Sequence, residues 1–150
     1  MTEHIAYEEL LRRDGQVISH VVGRSMLPLL HDRQSVVVVE DSDRVPPRKG
    51  DVVLYKVGGT YILHRVLQVK PDEYVIRGDN TWRLEHVPKT ALLATMTGFY
   101  RKPDGPLVSP DNTAYRVYLA CLPGIRWGRR IGGKLRREAR KLLRRGGTRA

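Results

Sequence analysis

Residues 51–69 read DVVLYKVGGTYILHRVLQV, and this stretch decides the fold. Two runs rich in Val, Leu and Ile, 51–57 and 61–69, flank Gly58-Gly59, which is typical of two strands joined by a tight turn. Because parallel neighbours need long crossovers, such short strands favour an antiparallel, partly closed sheet built from hairpins. Further runs of this kind occupy 16–22, 35–40, 73–77 and 92–101.

Helical patterns lie at the two ends of the chain. Residues 3–13 predict a short helix with Thr2 as its N-cap, ended by Asp14-Gly15. Residues 112–122 and 134–145 predict two helical pieces separated by Pro123-Gly124, which breaks or kinks the segment. We therefore predict a mainly β domain over residues 1–110 and a partly helical, basic C-terminal extension over residues 111–150.

Composition limits the chemistry that the chain can perform. With 150 residues, 41% of them hydrophobic, the chain can bury the core of one domain. The single cysteine, Cys121, excludes an internal disulfide, and the five histidines show no ligand spacing. The sequence thus predicts no metal and no cofactor.

The positive charge is concentrated in one segment. The net charge is +11, and residues 126–150 hold eleven Lys or Arg and a single acid, Glu138. Within this segment Leu135, Ala139, Leu142 and Leu143 share one helical face. This pattern favours peripheral contact with an anionic membrane over a solvated or partner-binding tail, with nucleic acid as the third alternative. Because no apolar run approaches the ~20 residues of a spanning helix and no signal segment is evident, we expect a cytoplasmic or peripherally membrane-associated protein.

Three polar residues interrupt the apolar pattern: Ser25 in an irregular turn, His64 within a strand, and Asp79 after Gly78. A serine hydroxyl needs an adjacent base to become a nucleophile, an imidazole can serve as that base, and a carboxylate can orient the imidazole. Each residue type also has an ordinary structural role, as a turn serine, a half-buried histidine or a turn aspartate. Spacing alone leaves open whether the three meet.

Four motifs in order make a resemblance specific. They are GRSMLP at 23–28, KGDVV at 49–53, LHRV at 63–66 and RGDN at 77–80. Together they resemble the boxes of the type I signal peptidase and LexA-like serine peptidase superfamily. The resemblance implies a serine endopeptidase on a mainly β fold, with Ser25 as the nucleophile. Where bacterial members usually hold a lysine base this chain has His64, as in the endoplasmic-reticulum and archaeal type.

The same resemblance ranks the remaining residues of the site. Asp79 is the predicted third member of the catalytic group, Glu85 is a weaker carboxylate candidate, and Lys56 is a rival base that ranks below His64. Gly23 stands where many bacterial relatives have a serine that supports the oxyanion hole, which leaves the backbone N–H of Ser25 as one donor. The substrate-binding residues stay unassigned at this point.

Departures from the family narrow the function. We expect no N-terminal membrane anchor, and the residues before Ser25 are too few for a DNA-reading domain. The chain also lacks the Ala-Gly and Cys-Gly bonds at which LexA-like repressors cut themselves. The sequence thus favours cleavage of a signal or leader peptide from another polypeptide. The alternative is a catalytically inactive module that binds peptide or nucleic acid and carries a basic tail.

Overall fold

The chain folds as two compact units that divide between Arg116 and Val117. The computed structural model describes residues 6–146, and it leaves out the side chains of residue 139 and of residues 142–146. The first unit contains the β-sheet, and the second consists of helix.

The first unit is built on one antiparallel sheet. Its pairing order is β1-β2-β7-β3-β4-β5-β6, with β8 beside β7. The described strands are β1 (Gln16–His20), β2 (Val36–Asp41), β3 (Val52–Val57), β4 (Thr60–Val69), β5 (Glu73–Arg77), β6 (Glu85–Pro88), β7 (Leu92–Tyr100) and β8 (Leu107–Val108). The mainly antiparallel β fold is confirmed. The predicted partial closure is wrong, because β7 returns to the middle of the sheet and leaves β1 and β6 at opposite edges.

The hairpin formed by β3 and β4 is the centre of the sheet. Val57 pairs with Thr60 across a two-residue turn, in which Gly58 and Gly59 have φ values of 55° and 82°. Positive φ at both positions is the geometry that a tight hairpin turn requires and that glycine adopts without strain. Since β3 is covered on both faces, its first four residues are all buried, which explains their continuous apolar run.

Two strands, β6 and β8, escaped prediction. β6 has four residues, ends in Pro88 and continues into a short 3₁₀ helix, Lys89–Ala91. Neither its composition nor its length resembles a buried strand. Proline is tolerated here because β6 lies at the edge of the sheet.

The helices also differ from the expected boundaries. α1 (Tyr7–Asp14) begins after Ala6 and ends at Gly15, whose φ is 72°; the predicted N-cap Thr2 and residues 3–5 lie outside the described residues. α2 (Thr113–Gly146) is one helix that continues through Pro123 instead of ending there. The Asn112 side chain caps it by accepting the backbone N–H of Ala114 at 2.9 Å. None of the described helices has both the length and the apolar character that a membrane span requires.

Candidate active site

Ser25 lies in a tightly anchored turn between β1 and β2. The side chains that follow it, Met26, Leu29 and Leu30, are buried and hold the turn against the sheet. Gly23 has a φ of 101°, a conformation that a serine would adopt only with strain. Its N–H donates to the Asp32 carboxylate at 2.8 Å. Gly23 therefore shapes the turn, and its N–H is already engaged within it.

The loop after β5 fastens this turn from the other side. The backbone N–H of Asn80 donates to the carbonyl oxygen of Ser25 at 2.7 Å. The Asn80 side-chain amide donates to the carbonyl oxygen of Arg24 at 3.0 Å. Two hydrogen bonds from one asparagine thus fix the backbone on which the Ser25 hydroxyl is carried.

Gly78 marks the place where Ser25 and His64 converge. A Cβ atom at residue 78 would lie 2.7 Å from the Ser25 carbonyl oxygen and 3.0 Å from Nε2 of His64. Both groups approach the same point, and they can do so only because residue 78 has no side chain. The structure therefore brings the predicted Ser25 and His64 into the same small region.

The other nitrogen of His64 meets a carboxylate and a phenol. Its Nδ1 lies 3.1 Å from Oε2 of Glu85 and 3.1 Å from the Tyr55 hydroxyl. The Tyr55 hydroxyl donates to the same Glu85 oxygen. With the tyrosine proton directed at Glu85, the arrangement fits the tautomer in which Nδ1 of His64 carries the ring hydrogen and donates to the carboxylate. In that tautomer the lone pair of Nε2 lies on the side of Gly78 and Ser25.

Burial protects this arrangement. The His64 side chain is 8% exposed and that of Glu85 is 27% exposed. Burial, together with the hydrogen bond to Glu85, raises the pKa of the Tyr55 hydroxyl. The Tyr55 phenol therefore keeps its proton at neutral pH and can donate it to Glu85.

Asp79 occupies a different position from the one predicted for it. Its two oxygens accept hydrogen bonds from Nε and Nη2 of Arg65 at 2.8 and 2.6 Å. Nη1 of Arg65 donates to the Gly50 carbonyl at 2.7 Å and to the Tyr115 hydroxyl at 2.9 Å. The structure thus places Asp79 on the buried guanidinium of Arg65 and Glu85 at Nδ1 of His64, and the catalytic role of Asp79 stays a prediction.

Lys56, the rival candidate base, forms hydrogen bonds with residues other than Ser25. Its Nζ donates to Glu8 of α1 at 2.7 Å and to the Tyr61 hydroxyl at 3.4 Å. These hydrogen bonds raise the pKa of Lys56, so it stays charged and holds no lone pair at neutral pH. Of the two candidate bases, His64 is the one that approaches Gly78 together with Ser25.

A groove of about 410 Å³ lies on the face of the sheet to which Leu54 and Leu63 contribute. Its lining includes Val21 and Val22, which precede the Ser25 turn in sequence, and Leu63, which precedes His64, whereas the His64 side chain points to the opposite face of β4. β4 pairs with β5 only from Arg65 onward, so in the described sheet the first half of β4 has one open edge. The Tyr7 and Tyr61 rings also line the groove and pack edge to face, with centroids 4.6 Å apart.

Residues 6–146 contain no group of three His, Cys, Asp or Glu side chains arranged as a metal would need. No protein-family model matches the chain, and no curated protein sequence matches it. Any functional assignment of the site therefore depends on its geometry and on the four sequence motifs.

Sequence reasoning missed Tyr55 and placed Glu85 below Asp79 as the carboxylate candidate. Tyr55 lies in an apolar run and has the sequence signature of a core residue, which its complete burial matches. Glu85 begins a strand that was not predicted, so nothing in the sequence brought it to the face of β4 where His64 lies. The available signal was weak: Glu85 is a carboxylate six residues after Asp79.

Proposed function

We propose that this protein is a serine endopeptidase with Ser25 as nucleophile, His64 as general base and Glu85 as the carboxylate that positions His64. The observation that carries the proposal is the convergence of the Ser25 backbone and Nε2 of His64 at Gly78, with Glu85 on Nδ1. The chain resembles the type I signal peptidases with a histidine base, on a fold similar to LexA-like peptidases. The four motifs and this geometry support that assignment jointly.

The chemistry follows from the placement of the protons. Nε2 of His64 takes the Ser25 hydroxyl proton while Oγ forms a bond to the scissile carbonyl carbon. The imidazolium that results is stabilised by Glu85 and then gives the proton to the leaving amine as the C–N bond breaks. A water molecule, deprotonated by His64, then attacks the acyl ester and releases the carboxylate product, and Ser25 recovers its proton. The N–H of Ser25 is the proposed oxyanion donor, a contribution of typically ~3 kcal/mol.

The groove suggests how a substrate is held. The open edge of β4 offers backbone donors and acceptors to an added strand, and the apolar groove lies on the Leu63 face of the same strand. We propose that an extended peptide pairs with this edge and places apolar side chains in the groove. We propose a signal or leader segment of another polypeptide as substrate, because such segments present extended stretches with apolar side chains.

The test is covalent labelling of Ser25. A fluorophosphonate probe reacts with activated serines, so intact-mass analysis of the labelled chain reports the second-order rate constant. We expect one adduct at Ser25 that is lost in Ser25→Ala and slowed by several orders of magnitude in His64→Ala. Ser109→Ala, at a half-buried serine after β8, is the matched control and should label like the parent.

A second measurement distinguishes a peptidase from a peptide-binding module. Peptides with an extended apolar segment are incubated with parent and Ser25→Ala protein, and the products are identified by mass spectrometry. Cleavage by the parent alone supports the proposal. Cleavage that survives in Ser25→Ala, or peptide binding without any labelling of Ser25, would show that the proposed mechanism is wrong.

A further inference from the structure

The second unit displays an apolar stripe that the proposed peptidase chemistry does not use. Trp127, Ile131 and Leu135 are 68%, 38% and 60% exposed. Steps of four residues place them on one face of α2. Val117, two heptads before Ile131, lies on the same face and is 57% exposed. A face of this composition is unfavourable in water unless something covers it.

The other faces of the same helix are strongly basic. Residues 126–150 carry a net charge of +10 by count of their side chains. Exposed basic residues flank the stripe at Lys134, Arg136, Arg137, Arg140 and Lys141. Of the leucine face predicted from the sequence, Leu135 is exposed as expected, whereas the side chains of Ala139, Leu142 and Leu143 lie outside the described residues.

We infer that α2 is an in-plane docking helix for an anionic lipid bilayer. In this arrangement Trp127, Ile131 and Leu135 enter the boundary between headgroups and acyl chains, and the long basic side chains reach back to lipid phosphates. A tryptophan beside aliphatic residues and flanking arginines is the composition favoured at that boundary. This docking is independent of the peptidase proposal.

The charge and the apolar stripe together distinguish an anionic membrane from a second copy of the helix and from nucleic acid. A second copy of the helix would bring two strongly positive segments together, which Coulomb repulsion opposes. A nucleic-acid duplex would neutralise the arginines but leave Trp127 and its apolar neighbours in water. An anionic membrane surface is complementary to both properties, since it supplies phosphates and an apolar layer within one side-chain length of each other.

The experiment uses the intrinsic fluorescence of the full chain. The protein has two tryptophans, so Trp82→Phe leaves Trp127 as the only emitter. Vesicles of phosphatidylglycerol mixed with phosphatidylcholine should shift its emission to the blue, and brominated acyl chains should quench it. Vesicles of phosphatidylcholine alone should bind at least ~10-fold more weakly, since the basic side chains gain attraction only at an anionic surface.

Matched variants in the Trp82→Phe background separate the stripe from the charge. Ile131→Gln with Leu135→Gln should weaken vesicle binding by ~10-fold or more, because two exposed apolar side chains no longer enter the bilayer. Val57→Gln with Val69→Gln changes two exposed valines of the sheet and should bind like the parent. Circular dichroism checks that each variant keeps its helix.

Four outcomes would overturn the inference. The first is an unchanged Trp127 spectrum with anionic vesicles, and the second is equal binding by the Ile131→Gln, Leu135→Gln variant. The third is a spectral shift with duplex DNA but none with vesicles, which would assign the helix to nucleic acid. The fourth is a shift that follows protein concentration in the absence of lipid, which would assign the stripe to self-association.

Discussion

Replacing Gly78 with alanine tests the convergence on which the proposed site depends. The new Cβ would lie 2.7 Å from the Ser25 carbonyl oxygen and 3.0 Å from Nε2 of His64, whereas carbon and oxygen normally approach to about 3.3 Å. The turn must therefore retreat by about half an ångström and the imidazole by somewhat less. Since a misplacement of ~1 Å costs ~100-fold in rate, we expect a loss of ~10- to 100-fold.

The assay is the rate of fluorophosphonate labelling at Ser25, measured together with thermal unfolding. Overpacking at this position should lower the free energy of unfolding by ~1–3 kcal/mol, which leaves a folded protein to assay. Gly128→Ala is the control, because its Cβ meets no heavy atom within 4 Å. If Gly78→Ala labels at the parent rate, Ser25 and His64 do not act as a unit and the catalytic reasoning fails.

Three further substitutions test the roles of the charged residues. Glu85→Gln replaces the carboxylate at Nδ1 of His64 with a neutral amide. We expect labelling of Ser25 to slow by ~10²–10³-fold, somewhat less than the ~10⁴ seen for a fully buried carboxylate, and a parental rate would rule out the positioning role. Asp79→Asn leaves the buried Arg65 without its carboxylate and should lower the free energy of unfolding by ~3–5 kcal/mol in urea titrations; an unchanged midpoint would contradict a structural role. Hydrogen bonds from Lys56 and Tyr61 lower the pKa of Glu8 from 4.5 to about 2. Because the folded state holds the lower pKa, this contribution is present above pH 4.5 and is lost as the pH falls toward 2. Glu8→Gln should make the melting temperature less dependent on pH in that window, by a small amount because the pair is partly exposed and solvent screens it; parallel melting curves for parent and variant would contradict this.

The sequence was most informative where burial and turn chemistry coincide. The β3–β4 hairpin was predictable because Gly58-Gly59 separates two apolar runs. Ser25 and His64 were identifiable as candidates because each is a polar residue at a position where the pattern is otherwise apolar or irregular. Each of these signals depends only on residues that are close together in the sequence, so no knowledge of the tertiary structure is needed to recognise it.

The partner of Asp79 could not be predicted in the same way. An aspartate after a glycine looks the same whether its partner is an imidazole or a guanidinium, and the choice depends on which side chain of β4 faces it. His64 and Arg65 are adjacent on one strand, so they point to opposite faces of the sheet. Asp79 is bonded to Arg65, and Glu85 contacts His64. Glu85 lies on β6, a strand that is too short to be recognised in the sequence and that ends in a proline. Such pairing is a property of the tertiary structure and is absent from local composition.

The position of Glu85 has a consequence for the thermal stability of the proposed active site. It is the first residue of β6, and in the described sheet β6 is a terminal strand that pairs with β5. Terminal strands fray at a lower free energy than the whole domain unfolds. Mild heat or denaturant would accordingly separate the imidazole from its carboxylate while the central strands β7, β3 and β4 stay paired, so the proposed activity would be lost below the melting temperature and would return on cooling without refolding of the domain.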